Sequence, residues 1–291
     1  MSKKLPSPSG LSISGAIREG AQRLAEAAVT EPRREAGSLL AHVLGRDRSF
    51  IIAHADDPLT AEQREALQNL VERRTVGEPL QYIIAQQEFF KLGFEVTPDV
   101  LIPRPETELI VETALELLQN DPGPYFADIG TGSGCIAISM LNELPAARAI
   151  ATDISRAALR VARRNAERHR VTDRLVLLES DGLSALDVNE SFSLIASNPP
   201  YVSEDEVKSV QREVSYEPRA ALAAGSDGLS VIRRLVREAP PFLRPGGYFV
   251  FEIGFGQSDA VERLVDQSAW KLVEIREDLQ GIPRTFVLQK K

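Results

Sequence analysis

Tyr125-Phe-Ala-Asp-Ile-Gly-Thr-Gly-Ser-Gly134, continued by Cys135-Ile-Ala-Ile-Ser-Met-Leu-Asn-Glu143, decides how the chain is read. An apolar run of strand length carries Asp128 near its end, three alternating glycines follow, and an apolar stretch of helical length comes next. Glycine accepts the positive φ of a sharp turn and lets a ligand approach the backbone closely. The unpaired N–H groups at the start of a helix can meet a polar or anionic group. A strand over 125–129, a turn, and a helix over 135–143 are therefore predicted.

The same alternation repeats downstream. Strands are expected at 148–152, 174–178, 192–197 and 247–253, with helices at 155–169, 228–238 and 257–267. Two late strands, near 270–275 and 284–289, suit an edge hairpin. Strand–helix alternation of this kind gives an α/β fold with a doubly wound, mostly parallel sheet covered on both faces. Such a sheet binds its ligand beyond the carboxyl ends of its strands.

Upstream the character differs. Residues 11–76 have helical spacing, with Leu39, Leu40, Val43 and Leu44 in one group and Leu67, Leu70 and Val71 in another. Thr60 and Gln63 form a capping-box pair at one helix start. A small helical domain is expected over 1–78. Gln81-Tyr-Ile-Ile84 and Phe94-Glu-Val-Thr97 look like short extended runs, so a β-hairpin over 79–103 is expected to join it to a domain spanning 104–291. Pro103 and Pro105 interrupt the chain before a helix over 106–118.

Composition sets limits on function. The chain has 291 residues, a net charge of -8 and a single cysteine, Cys135. An acidic protein is poorly suited to gripping duplex DNA by its phosphates. One cysteine allows no intrachain disulfide, and His42, His54 and His169 have no metal-ligand spacing, so no metal is expected. No apolar run approaches a membrane span and no signal-peptide core is present, so the expected compartment is the cytoplasm. Arg156, Arg160, Arg163, Arg164, Arg168 and Arg170 suit the solvated face of a helix or a docking surface. The first dozen residues have the composition of a disordered segment.

The glycine loop alone does not name its ligand. A dinucleotide fingerprint starting at Gly130 would place its third glycine at position 135, which is Cys135. Asp153 ends the second strand, 23 residues after Gly130, where a carboxylate can accept from both ribose hydroxyls. Asp181 and Gly182 follow the third strand, at the expected adenine position. Asp128, the glycines, Asp153 and Asp181 together suit an adenosine without phosphates, and S-adenosylmethionine is such a ligand. Asp128 is expected to orient the loop or face the ligand's amino group.

Ser197-Asn-Pro-Pro-Tyr201 directly follows the fourth strand. An amino group on an sp² carbon, as in a carboxamide or adenine, has a delocalised lone pair and is a poor nucleophile. The side-chain oxygen of Asn198 and the backbone oxygen of Pro199 can accept its N–H bonds. Pro199 and Pro200 hold that geometry at low entropic cost. Tyr201 is expected to supply an aromatic face. No strong base is needed before transfer, since the nitrogen becomes acidic only once methylated.

At these residues the chain resembles the class I methyltransferases, and within them the peptide-chain release factor glutamine methyltransferases. Glu78-Pro-Leu-Gln-Tyr-Ile83, Val100-Leu-Ile-Pro-Arg-Pro-Glu-Thr-Glu108, Asp128 to Gly134 and Asn198 to Tyr201 carry the likeness. The resemblance implies S-adenosylmethionine as cofactor and S-adenosylhomocysteine as product. It implies a substrate glutamine in the Gly-Gly-Gln motif of bacterial class I release factors. Its cofactor contacts fall on Asp128, Ile129, Gly130, Thr131, Gly132, Asp153, Gly182 and Asn198, and its substrate contacts on Asn198, Pro199, Pro200 and Tyr201. Two positions depart from the family pattern: Ala85 replaces a glycine, and Gly182 stands where a large aromatic residue is sometimes found. Arg104 and Glu106 either fix the domain junction or line the entrance.

Two other substrates use the same chemistry. One is a glutamine in a ribosomal protein, and the other is the amino group of adenine in a nucleic acid. The latter requires base extraction and a basic channel. Residues 1–100 carry 12 Lys and Arg against 14 Asp and Glu, which favours a protein partner and no direct DNA binding. A monomer is expected.

Overall fold

The computed structural model describes residues 11–208 and 212–291, arranged as two units. The smaller unit comprises the described residues through Ala85 together with Arg212–Tyr216. Its helices are α1 (Ile13–Glu26), α2 (Pro32–Leu44), α3 (Arg48–Ala53), α4 (Ala61–Thr75) and the single turn α5 (Leu80–Ile83). Leu24, Leu39, Leu40, Leu67, Val71 and Ile83 meet in its core. The expected capping box is formed: Thr60 Oγ1 accepts from Gln63 N, and Gln63 Oε1 accepts from Thr60 N. Arg74 is 5% exposed. Burying a cation is costly unless it is paired, and Glu35 and Glu213 both bond it, at 2.5 and 2.9 Å.

Two expectations for this region need correction. Gln81–Ile84 is not extended. Pro79 (φ -57°) leads into α5, and the helical turn buries the adjacent Tyr82 and Ile83 together. A strand would send those neighbours to opposite faces. The disordered start expected over the first dozen residues falls outside the described residues up to position 10. At position 12, Ser12 already caps α1 by accepting from Gly15 N.

The larger unit begins with the hairpin β1 (Gln86–Phe89) and β2 (Leu92–Glu95); its first strand lies after the expected run 81–84, and its second overlaps the expected run 94–97 but starts two residues earlier. Phe89 and Phe94 are buried in this unit's core. A 3-10 turn, Pro105–Thr107, leads into α6 (Glu108–Leu118). Then strands and helices alternate: β3 (Tyr125–Ile129), α7 (Cys135–Glu143), β4 (Arg148–Asp153), α8 (Arg156–Arg168), β5 (Leu175–Glu179), β6 (Phe192–Ser197), α9 (Glu204–Val207), α10 (Ser230–Glu238), β7 (Leu243–Glu252), α11 (Ser258–Glu262), β8 (Trp270–Glu277) and β9 (Pro283–Lys290).

The seven strands lie in the order β5-β4-β3-β6-β7-β9-β8. The first five are parallel; β9 runs antiparallel between β7 and β8, so the last two strands form the expected edge hairpin. The strands at the centre are mostly apolar, as burial on both faces favours, and every residue of β6 is buried. Helix α11 is shorter than the 257–267 expected. Asp266 accepts from Ser268 N in a local turn that leads into β8.

Strand order reverses between β3 and β6. Their register pairs Ile129 with Ser197, the last residue of each strand. Gly130 and Asn198 therefore leave the sheet side by side. Ser197 Oγ donates to Ile129 O at 2.7 Å and ties the two ends together.

Candidate active site

A cavity of about 440 Å³ opens at the carboxyl ends of β3, β4, β5 and β6. The glycine loop forms one wall. Gly130 and Gly132 have φ +76° and +55°, and a Cβ on either would meet nothing within 4 Å. Those positions keep backbone open to a ligand. Gly130 N and Thr131 N both donate to Thr152 O, which pins the loop to β4.

Asp128 is fully buried. Its Oδ2 accepts from Thr131 Oγ1 at 2.6 Å and from Ala137 N at 3.2 Å, so it fastens the loop to the first turn of α7. Its Oδ1 has no partner. Burial pushes this carboxyl up to about 6 against both hydrogen bonds, and the charge of Asp153 adds to the rise. An orphaned acceptor of this kind calls for a cationic donor, and an α-amino group is one.

Asp153 holds the far side of the loop. Its oxygens accept from Gly132 N at 2.9 Å and Ser155 N at 2.8 Å, leaving lone pairs for further donors. Burial raises its carboxyl. Asp181 is bound in a two-pronged ion pair by Arg234 of α10, at 2.5 and 2.9 Å, and that bond lowers its carboxyl. A Cβ on Gly182 (φ +63°) would lie 2.9 Å from Arg234 Nη2, so the guanidinium fills the space a side chain there would take. Asp153, Asp181, Gly182 and Arg234 all line the cavity.

Asn198, Pro199 and Pro200 line the same cavity. Tyr201 does not. Its ring packs into the core beneath, and its hydroxyl donates to Glu252 Oε1 at 3.0 Å. Burial and the adjacent carboxylate of Glu252 raise the phenol's pKa. The aromatic face expected of Tyr201 is spent on supporting the motif from behind.

The sequence reading missed several residues here. Asn198 Nδ2 donates to Thr107 Oγ1 at 2.9 Å. Gln257 Nε2 donates to Tyr201 O at 2.9 Å while its Oε1 accepts from Gly254 N. Gly228 (φ +70°) passes so close that a Cβ would sit 2.5 Å from Tyr201 O. Arg104 pairs with the buried Glu217, which favours a structural role for the Ile102-to-Glu108 stretch. Cys135 lines the cavity, and burial pushes its thiol up to about 12, away from the thiolate form. Among the described residues no cluster could hold a metal ion, and no helix is long and apolar enough to cross a membrane. Of the α8 arginines, Arg156 pairs with Glu179, and Arg164 and Arg168 reach the hairpin at Glu95 and Gly93 O.

Residues 15–84 match the family model "PrmC N-terminal domain" and residues 107–227 match "Methyltransferase small domain". The release factor glutamine methyltransferase of Bordetella pertussis is 43% identical over 253 residues, covering 87% of this chain and 93% of the relative. That of Koribacter versatilis is 38% identical over 281 residues, covering 96% and 99%. Among solved structures, the hMettl16 catalytic domain bound to an RNA hairpin superposes with a TM-score of 0.57 at 18% identity, covering 77% of this chain and 82% of that one. A likeness at that identity speaks for the fold alone.

Proposed function

The chain belongs to the release factor glutamine methyltransferase family, and on that premise we propose that it methylates the glutamine of the Gly-Gly-Gln motif in bacterial class I release factors, on the side-chain amide nitrogen. The observation that carries this reading is that the glycine loop and the Asn198-Pro199-Pro200 turn line one cavity. Methyl donor and amide acceptor would then meet in a single chamber.

S-adenosylmethionine supplies an electrophilic methyl group on a sulfonium when bound. The residues present fit it. Asp128 would take its amino group, the open backbone at Gly130 and Gly132 would pass along it, and Asp153 would accept from the ribose hydroxyls. Asp181, Gly182 and Arg234 would border the adenine.

Asn198 Oδ1 and Pro199 O accept the two N–H bonds of the target carboxamide. Both acceptors draw the nitrogen lone pair out of conjugation with the carbonyl and toward the donor. The two prolines hold Pro199 O fixed, so little ordering remains to be done when substrate arrives. No side chain here is required as a base, and burial keeps Tyr201 protonated. We infer a monomer whose partner is a protein and not DNA.

The test is mass spectrometry of a bacterial class I release factor incubated with the protein and S-adenosylmethionine. One added methyl group on the Gly-Gly-Gln glutamine is expected. Labelling only of a ribosomal protein or of nucleic acid adenine would overturn the assignment of substrate.

A further inference from the structure

The acceptor turn rests on a buried chain of hydrogen bonds that runs away from the cavity. Thr107 closes the 3-10 turn Pro105–Thr107, and Glu252 ends β7. Each is only 1% exposed. Asn198 Nδ2 lies 2.9 Å from Thr107 Oγ1, Thr107 Oγ1 lies 2.6 Å from Glu252 Oε2, and the Tyr201 hydroxyl lies 3.0 Å from Glu252 Oε1.

Once Glu252 is ionised, above about pH 7, the directions in this chain are forced. A carboxylate only accepts, and a hydroxyl has one proton to give. Thr107 spends its proton on Glu252, so it can only accept on its other side. The end of the Asn198 amide that meets it must therefore be the NH2 group. The reverse rotamer would set Asn198 Oδ1 against Thr107 Oγ1 with no proton between them.

We infer that Thr107 and Glu252 are positioning residues that lock the Asn198 amide with its oxygen away from Thr107, so that the site offers an acceptor to the group it binds. A pocket that offers acceptors selects a target bearing N–H donors. It admits a carboxamide and disfavours the carboxylate of the corresponding acid, which can only accept and would lie oxygen against oxygen. Glu252 lies outside the cavity and Thr107 borders it, and both act through Asn198. The selectivity for a carboxamide rests on the function proposed above, whereas the locked orientation does not.

Two variants separate orientation from packing. Thr107→Val keeps the shape and removes the hydroxyl; Thr107→Ser keeps the hydroxyl and removes the methyl. For release factor methylation, Thr107→Val is expected to lower kcat about tenfold or more, the size of one lost polar contact near the reacting group. Its Kd for S-adenosylhomocysteine should stay within about twofold, and Thr107→Ser should recover most of the rate. A second readout needs no substrate. With ¹⁵N-labelled asparagine, one Asn198 side-chain amide proton should exchange slowly with solvent in the wild type and in Thr107→Ser, and quickly in Thr107→Val. Wild-type kcat in Thr107→Val, or equal exchange in all three proteins, would overturn the inference. Slow exchange in the expected pattern with no methylation of the release factor would instead condemn the proposed substrate and leave the locked orientation standing.

Discussion

Glu252→Gln should change the pH dependence of stability in a direction the burial of Glu252 dictates. This carboxyl lies at the end of β7 with 1% of its surface exposed. Burial raises its pKa from 4.5 to about 7; hydrogen bonds from Thr107 and Tyr201 and the charge of Arg284 oppose the rise, and the charge of Glu106 adds to it. A native carboxyl at about 7 against an unfolded one at 4.5 corresponds to roughly 3 kcal/mol. The sign follows from proton uptake. Between those two values the native state holds a proton that the unfolded state has lost, so stability falls as pH rises. Below 4.5 the contribution is fully present, and above about 7 it is gone. A glutamine has no such titration. The stability difference between Glu252→Gln and wild type should therefore move by up to roughly 3 kcal/mol in favour of the variant between pH 4.5 and pH 8. Groups that do not interact with Glu252 contribute equally to both proteins and cancel. Urea unfolding at pH 5, 6, 7 and 8 measures this difference. The single tryptophan, Trp270, is buried in the larger unit and reports on that unit by fluorescence. A difference independent of pH would show that Glu252 titrates at its ordinary value. A difference that grows in favour of wild type as pH rises would show that the hydrogen bonds outweigh burial, and the reasoning would fail.

Asn198→Ala removes the acceptor from the cavity wall and should lower kcat by about a hundredfold, with the Kd for S-adenosylhomocysteine changed less than about threefold; calorimetry and a steady-state assay together check both. Gly132→Ala places a methyl group in open space at φ +55°; stability should fall by about 1–2 kcal/mol, and calorimetry should show weaker S-adenosylhomocysteine binding. Gly228→Ala sets a Cβ 2.5 Å from Tyr201 O, and a loss of about 1–3 kcal/mol in urea unfolding is expected, with kcat reduced because the acceptor turn must shift. Arg234→Ala leaves Asp181 unpaired at the edge of the cavity and should loosen S-adenosylhomocysteine binding with the rate at saturating donor nearly unchanged; equal affinity would remove Arg234 from the cofactor site.

Much of the larger unit was legible because its physics is local. Residues 192–197 form an apolar run bounded by polar residues, and a run buried on both faces has to look that way. The glycines at 130, 132 and 134 all take positive φ, which few other residues do at low cost. The last two strands were placed correctly for the same reason. The stretch 81–84 was misread because two adjacent apolar side chains fit a buried strand and a buried helical turn equally well. Position and burial had to decide between them. The relay behind Asn198 was illegible for a different reason. Thr107 and Glu252 are 145 positions apart, and nothing local says that a threonine before one helix meets an acid at the end of a distant strand. One hint was available: an acid closing the apolar run Tyr248-Phe-Val-Phe-Glu252 at the carboxyl end of a strand. Gly228 and Gln257 gave no comparable hint, because their role is set by proximity to Tyr201 alone.

The helical unit is not a detachable module. It takes Arg212–Tyr216 from a stretch of chain that follows the acceptor turn, and Glu213 in that stretch holds the buried Arg74. A chimera that exchanges only the first 85 residues would bring in a foreign helical bundle and keep the old strap. A buried arginine would then lose one of its two carboxylates, or a carboxylate would be left facing no arginine. Grafts of this unit between relatives should work when residues 212–216 travel with it, and chains that diverge in one piece should diverge in the other.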